Sequence, residues 1–204
     1  MKVAVFLDYA NVNAAAYDLN YEVDYGALLD YLADEKEQRT LKVAYAYVPI
    51  DPRQEHATDF EIEDLWQKGY IVKTKVGGIA GESYKCDFDI EIAMDISRVV
   101  YEISPDVVVL VSGDKDFIPV VLEMRGKGVR VEVAAFESAM ARELALKSSG
   151  FISLDYWINE GAEIITDEDI INDEDHLAQG KENLLRADTK IVKDEEDDNG
   201  NSNC

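Results

Sequence analysis

DVVVLVSGDKDF, residues 106–117, sets an unbroken apolar run directly against a glycine turn and three charged side chains. An unbroken run of this length reads as a strand buried on both faces, which is the habit of a parallel sheet. The N-terminal stretch KVAVFLDYAN, residues 2–11, is built the same way, its apolar run closing on Asp8. Three further β-rich runs, Leu41–Val48, Tyr70–Lys75 and Val129–Ala134, complete a set of five with Lys2–Leu7 and Asp106–Val111. Helical spacing lies between them, over Tyr25–Lys36, Glu55–Lys68, Asp87–Ile103, Phe117–Lys127 and Ala139–Lys147. Strands that alternate with helices of this length pair in parallel through right-handed crossovers, with helices on both faces. The pattern predicts a doubly wound α/β domain, with Phe151–Trp157 as either a short sixth strand or a closing lid.

The 204 residues hold 20 Lys+Arg against 43 Asp+Glu, a formal charge of −23. Residues 159–204 carry 15 acids and 4 bases, leaving 28 and 16 to residues 1–158, so the charge divides into −11 and −12. The expectation is a folded domain over 1–158 and an acidic, largely disordered tail over 159–204, where Asp194–Asp198 reads DEEDD. A hydrophobic content of 47% is enough for a core and excludes wholesale disorder. Cys86 and Cys204 do not make a disulfide framework or a cysteine zinc site. A reducing cytoplasm follows as the expected compartment, and the short N-terminal apolar run is too brief for a membrane span.

With only His56 and His176 available, and neither in a triad or ligand pattern, chemistry falls to the carboxylates. Asp8 closes strand 1, and Asp114 and Asp116 follow strand 4. In open α/β sheets that carboxyl edge, where strand order reverses, is where ligands bind. Asp89 opens the helix leading into strand 4, at the end that faces the same edge. Asp95 lies about 120° further round that helix, since 3.6 residues make a turn, and reads as a packing or outer hydrogen-bonding group. Glu91 and Asp87 read as solvated neighbours.

Clustered carboxylates repel, and a hard cation relieves them. Oxygen ligands favour magnesium or manganese, either of which lowers the pKa of a bound water and stabilises charge on a phosphoryl oxygen. Each acid also has a structural reading. Asp8 and Asp114 are suited to bonding turn amides, and Asp116 to capping the helix that begins at Phe117. Asn11 and Ser112 either hold the turns or meet substrate, and no base can be placed beside Ser112 to make it a nucleophile. The glycine-rich stretch 76–81, ahead of Lys85, suits a mobile flap, and no GK[ST] phosphate loop is present.

Lys2–Asn11 ending in D-x-x-N, the segment KCDFDIEIAMD over 85–95, and SGDKDF over 112–117 together resemble the NYN domain, and within it the LabA-like proteins. The resemblance covers about residues 1–158. It implies a three-layer α/β/α PIN-like, Rossmann-like fold with a mainly parallel five-stranded sheet of order 3-2-1-4-5. It also implies a divalent-metal-dependent ribonuclease using Mg2+ or Mn2+. Asp8, Asp89, Asp114 and Asp116 match the family's catalytic and metal-binding acids, while Asn11, Ser112 and Lys85 match its substrate-binding positions.

RNA is then the expected partner, bound weakly because the basic handles are few: Lys73, Lys75, Lys85 and Lys115. The alternative is a non-catalytic LabA-like regulator of gene expression that binds RNA or protein, through its tail or by dimerising. Haloacid-dehalogenase phosphatase chemistry ranks last, because it needs an aspartate two residues after Asp8 and this chain has Ala10.

Overall fold

The computed structural model describes residues 1–161 apart from Glu35, Lys36 and Glu82. The acidic tail expected from residue 159 therefore lies almost wholly outside the described residues. A compact unit spans Met1–Trp157.

Its sheet has six parallel strands: β1 Lys2–Asp8, β2 Thr40–Ile50, β3 Ile71–Val76, β6 Val107–Val111, β7 Arg130–Ala135 and β8 Gly150–Ser153. They lie in the order β3-β2-β1-β6-β7-β8. The expected order is kept, but the expected five strands become six. Residues 151–157 resolve that difference, since Phe151–Ser153 pair with β7 and the helix α7, Leu154–Gly161, starts at once after them. A strand of four residues flanked by a helix leaves too short an alternating pattern to read from sequence.

β6 is buried along its whole length, as an unbroken valine-rich run requires. It pairs with β1 in a register running from Val3 opposite Val107 to Leu7 opposite Val111. The next residues along the two strands are Asp8 and Ser112, so the register itself brings the two acidic loops side by side. Because β2 and β3 lie on one side of β1 and β6–β8 on the other, the strand order reverses at this pair.

Alternation divides the core. Ala4, Phe6, Val108, Leu110, Val131 and Val133 face α4 (Asp89–Ile103) and α5 (Ile118–Gly126), through Ile92, Ile96, Val99, Val121 and Met124. The opposite face is covered by elements that include α1, Tyr9–Asp18, which packs against β1 and β2, and α2, Tyr25–Leu32. Tyr31 of α2 meets the Trp157 ring of α7 at 6.2 Å. α3, Asp59–Gln67, precedes β3, and α6, Arg142–Lys147, precedes β8. α5 begins with Pro119 in its first turn and ends before Gly128, whose φ of +83° is a left-handed position that glycine fills without strain.

Three local features differ from expectation. α1 has no clear apolar stripe, since it mixes Asn11 and Asn13 with Ala14, Ala15 and Ala16, and nothing in its spacing marked it as a helix. α2 stops at Leu32, short of the expected Lys36. The glycine-rich stretch, read from sequence as a flap with no strands assigned to it, is an antiparallel hairpin of β4 (Gly78–Ala80) and β5 (Ser83–Lys85).

Candidate metal centre

The site is assembled from three chain segments at the carboxyl edge of β1 and β6. Asp8 ends β1 and caps α1, its Oδ1 accepting from the Asn11 amide at 3.4 Å. Its Oδ2 accepts from the Ser112 hydroxyl at 3.0 Å. Ser112 is fully buried, and its oxygen in turn accepts from the Asp114 amide at 3.3 Å. Asn11 returns the link, its Oδ1 accepting from the Gly113 amide at 3.0 Å. The two loops are thus tied by polar side chains whose bonds are all directed inward, so Ser112 and Asn11 hold the loops together.

Gly113 is required by space. A Cβ there would lie 2.1 Å from the carbonyl oxygen of Ala139, and the Gly113 carbonyl accepts from the Ala141 amide at 2.9 Å. Asp114 caps a single 3₁₀ turn, Lys115–Phe117, with Oδ1 accepting from the Asp116 amide at 2.9 Å. The buried Phe117 ring anchors that turn in the core. Capping therefore falls to Asp114, not to Asp116 as the sequence suggested, and the exposed Asp116 carboxylate is not spent on the helix end. Asp89 enters from the first turn of α4, where Phe88 at the N-cap offers no side-chain bond.

One carboxylate oxygen from each of Asp89, Asp114 and Asp116 lies within 4.8 Å of the other two. Asp8 stands outside that triple, held by Ser112 and Asn11, yet its charge reaches Asp89. Burial pushes the Asp89 carboxyl up to about 6, and repulsion from Asp114, Asp87, Asp8 and Asp116 adds to the shift. Asp8 is also raised, mainly by burial and slightly by Asp114, against the opposing bonds from Ser112 and Asn11. This is a cluster that holds its negative charge at a cost. An all-oxygen anionic set with this spacing fits one hard divalent cation, whose ligand distances run from about 2.0 to 2.6 Å.

The neighbouring polar residues take other roles. Asp95 is 5% exposed and accepts from Tyr47 at 2.7 Å, Lys73 at 2.5 Å and Arg98 at 2.6 Å. It is the packing group its helical position suggested. Lys73 is thereby committed, and Lys75 is held by Glu91 at 2.7 Å and the Asp87 carbonyl at 2.9 Å. Neither serves as the free substrate handle its place at the strand edge implied, and Glu91, partly solvated as its position suggested, is also paired with Lys75. Lys85, on β5, and Lys115, between the two site acids, remain exposed. Tyr47, which fixes Asp95, carried no sequence signal, since only the β1–β2 register sets it opposite Asp8.

Among the described residues, no helix is long and apolar enough to cross a membrane. The fold is similar to the crystal structure of a protein of unknown function from Vibrio parahaemolyticus, with a TM-score of 0.63 and 25% identity over 76% of this chain and 93% of that one. In sequence the chain is 29% identical over 161 residues to the low amplitude and bright protein LabA of Synechococcus elongatus, covering 75% of this chain and 83% of LabA. Residues 2–155 match the sequence profile of the NYN domain.

Proposed function

The chain belongs to the NYN domain family, and from that membership we propose that the acidic crevice is the active site of a divalent-metal-dependent ribonuclease hydrolysing RNA phosphodiester bonds. The observation that carries this reading is the convergence of Asp89, Asp114 and Asp116, with Asp8 beside them, at the edge where the sheet order reverses. Asp89, Asp114 and Asp116 would hold the cation, with Mg2+ and Mn2+ the ions best suited to the donor set. A cation held there supplies charge neutralisation at a phosphoryl oxygen and a water of lowered pKa.

The chain's own groups do the rest. Asp8 keeps the field at the crevice negative enough to favour cation entry, and the Ser112 and Asn11 links hold its carboxylate against the Asp114 loop. Lys115, exposed between Asp114 and Asp116, is placed to meet a backbone phosphate, and Lys85 offers a second contact from the hairpin. So few free cations in a chain of charge −23 give weak, salt-sensitive RNA affinity. Hydrolysis in the cytoplasm is the setting this chemistry suits.

The test incubates the full-length protein with mixed single-stranded RNA and Mn2+ or Mg2+, beside Asp114→Asn and Asp8→Asn. Wild type should cleave and the variants should lose about 100-fold or more in rate, the usual order for removing electrostatic transition-state support. Equal cleavage by all three, or none by wild type in either metal, would refute it. The likeness to LabA supports a second reading, a regulator of gene expression that binds RNA or protein without cutting. RNA bound but left intact by a metal-loaded wild type would favour it.

A further inference from the structure

Tyr25, Glu61 and Thr58 line one groove, and each holds a side-chain oxygen that is buried and lacks a hydrogen-bond partner: the phenol oxygen, Oε2 and Oγ1 respectively. Tyr25 and Glu61 line a cavity of about 300 Å³ bordered by α1, α2 and α3. Thr58 and Glu61 line a second, of about 430 Å³, that extends along α1 to Tyr84 of the hairpin. The two cavities share Tyr9, Asn13, Tyr17 and Glu61, so they are lobes of a single groove.

Its walls are aromatic and its charge has one sign. Tyr17 and Phe60 are 82% and 78% exposed, and the Tyr9 and Tyr25 rings lie 5.5 Å apart beneath them. The charged lining residues are Asp18, Glu22, Glu61 and Asp64, and among the described residues neither wall includes a lysine or arginine. Asp64 is neutralised by Lys68 at 2.9 Å, whereas no described cation pairs with Glu61. The field this leaves is felt by the Tyr9 phenol, pushed up to about 12 by burial and then by Glu61 and Asp64.

A buried carboxylate oxygen with no donor is costly, and so are an unpaired phenol and hydroxyl beside it. Water would satisfy the lone pairs but leave the Glu61 charge uncompensated. A guanidinium supplies both, with five N–H donors in a plane, a positive charge and a flat face that stacks on tyrosine. A phosphate-bearing ligand would meet four acids and no base. The groove is longer than one side chain, and a protein of charge −23 draws basic polypeptides toward it. We propose that this groove binds an arginine side chain presented by a basic segment of a partner protein, with Glu61 pairing the guanidinium and Tyr9 and Tyr17 forming its aromatic wall. The proposal is independent of RNA cleavage at the neighbouring crevice.

A fluorescein-labelled arginine nonapeptide, titrated by anisotropy into the full-length protein at physiological salt, tests it, with exposed charges screened beyond about 8 Å. Glu61→Gln should weaken binding about tenfold or more and Tyr25→Phe about threefold, while a lysine nonapeptide binds about tenfold less tightly than the arginine one. Glu143→Gln removes the same charge from the exposed face of α6 and should leave affinity unchanged. Equal losses in Glu61→Gln and Glu143→Gln would reduce the binding to bulk charge and overturn the proposal. Loss of oligouridylate binding in Glu61→Gln, with peptide binding intact, would assign the groove to nucleic acid and overturn it too. The unliganded Glu61→Gln protein should melt at or above the wild-type temperature, and a clear fall would mean that Glu61 is already paired.

Discussion

Protonating Asp89 should switch off cation binding in a range of pH where ordinary aspartates stay charged. Its carboxyl sits at about 6, raised first by burial and then by Asp114, Asp87, Asp8 and Asp116. With that value the group is roughly nine-tenths ionised at pH 7 and roughly one-tenth ionised at pH 5, whereas an unperturbed aspartate is still more than about nine-tenths charged at both. A cation that requires ionised Asp89 therefore loses about tenfold in affinity between pH 7 and pH 5. Asp114→Asn removes a ligand and lowers affinity throughout, but it also removes the largest repulsion on Asp89, so the fall from pH 7 to pH 5 becomes shallower.

Stability in chelator gives an independent reading of the same shift. A raised folded-state pKa means that Asp89 favours the fold below about 3.8, and that this contribution is lost as pH rises through about 6. The Asp89→Asn variant should therefore gain on wild type between pH 4 and pH 7. Solvent screening of a half-buried group limits the gain to on the order of 1 kcal/mol, or about 3 °C in melting temperature. Manganese titration followed by the electron paramagnetic signal of the free ion reads the first effect, and calorimetry with chelator reads the second. A wild-type manganese affinity that is the same at pH 5 and pH 7 would refute the reasoning, as would a stability gain that shrinks with rising pH.

Gly113→Ala should destabilise the fold by about 3 kcal/mol, since the new methyl group would overlap the Ala139 carbonyl and the backbone would have to move; thermal melts check this, and a neutral effect would contradict the close approach. Glu132, 3% exposed, is held by Arg39 at 2.9 Å and Arg130 at 2.6 Å. Burial alone would raise its pKa, but the bonds from the two arginines outweigh it and hold the carboxyl below its usual range. Its contribution is thus present above about pH 4.5 and lost as pH falls, and Arg39→Ala should cost about 3 kcal/mol at neutral pH and bring acid unfolding on at a higher pH; urea melts across pH 3–7 measure both.

What sequence could and could not reveal follows from the range of the interactions involved. Strands such as Val107–Val111 are legible because burial on both faces writes itself as a continuous apolar run, and the shared edge of Asp8 and Asp114 because parallel neighbours put their carboxyl ends on one side of the sheet. α1 was not, because its buried positions are Val12, Ala15 and Ala16, too small to stand out beside two asparagines. The commitment of Lys73 to Asp95 and of Lys75 to Glu91 depends on how α4 lies against β3, which no local spacing encodes. The transfer of capping from Asp116 to Asp114 turns on a single 3₁₀ turn ahead of α5, a shift of two residues that lies within the uncertainty of any helix boundary.

The pairing of β1 with β6 carries a consequence for how the protein comes into being. Lys2–Asp8 leaves the ribosome about a hundred residues ahead of its partner strand β6 and the Ser112 hydroxyl that fixes Asp8. Until then Asp8 lacks its Ser112 bond, and Asp89, Asp114 and Asp116 have not yet met. Closing so long a loop is slow. An ion that binds the crevice would do so only once these strands lock, and would then hold the fold closed by about 2.7 kcal/mol at a hundredfold excess over its dissociation constant. For a cation bound there, its supply and the survival of the folded chain would be a single equilibrium.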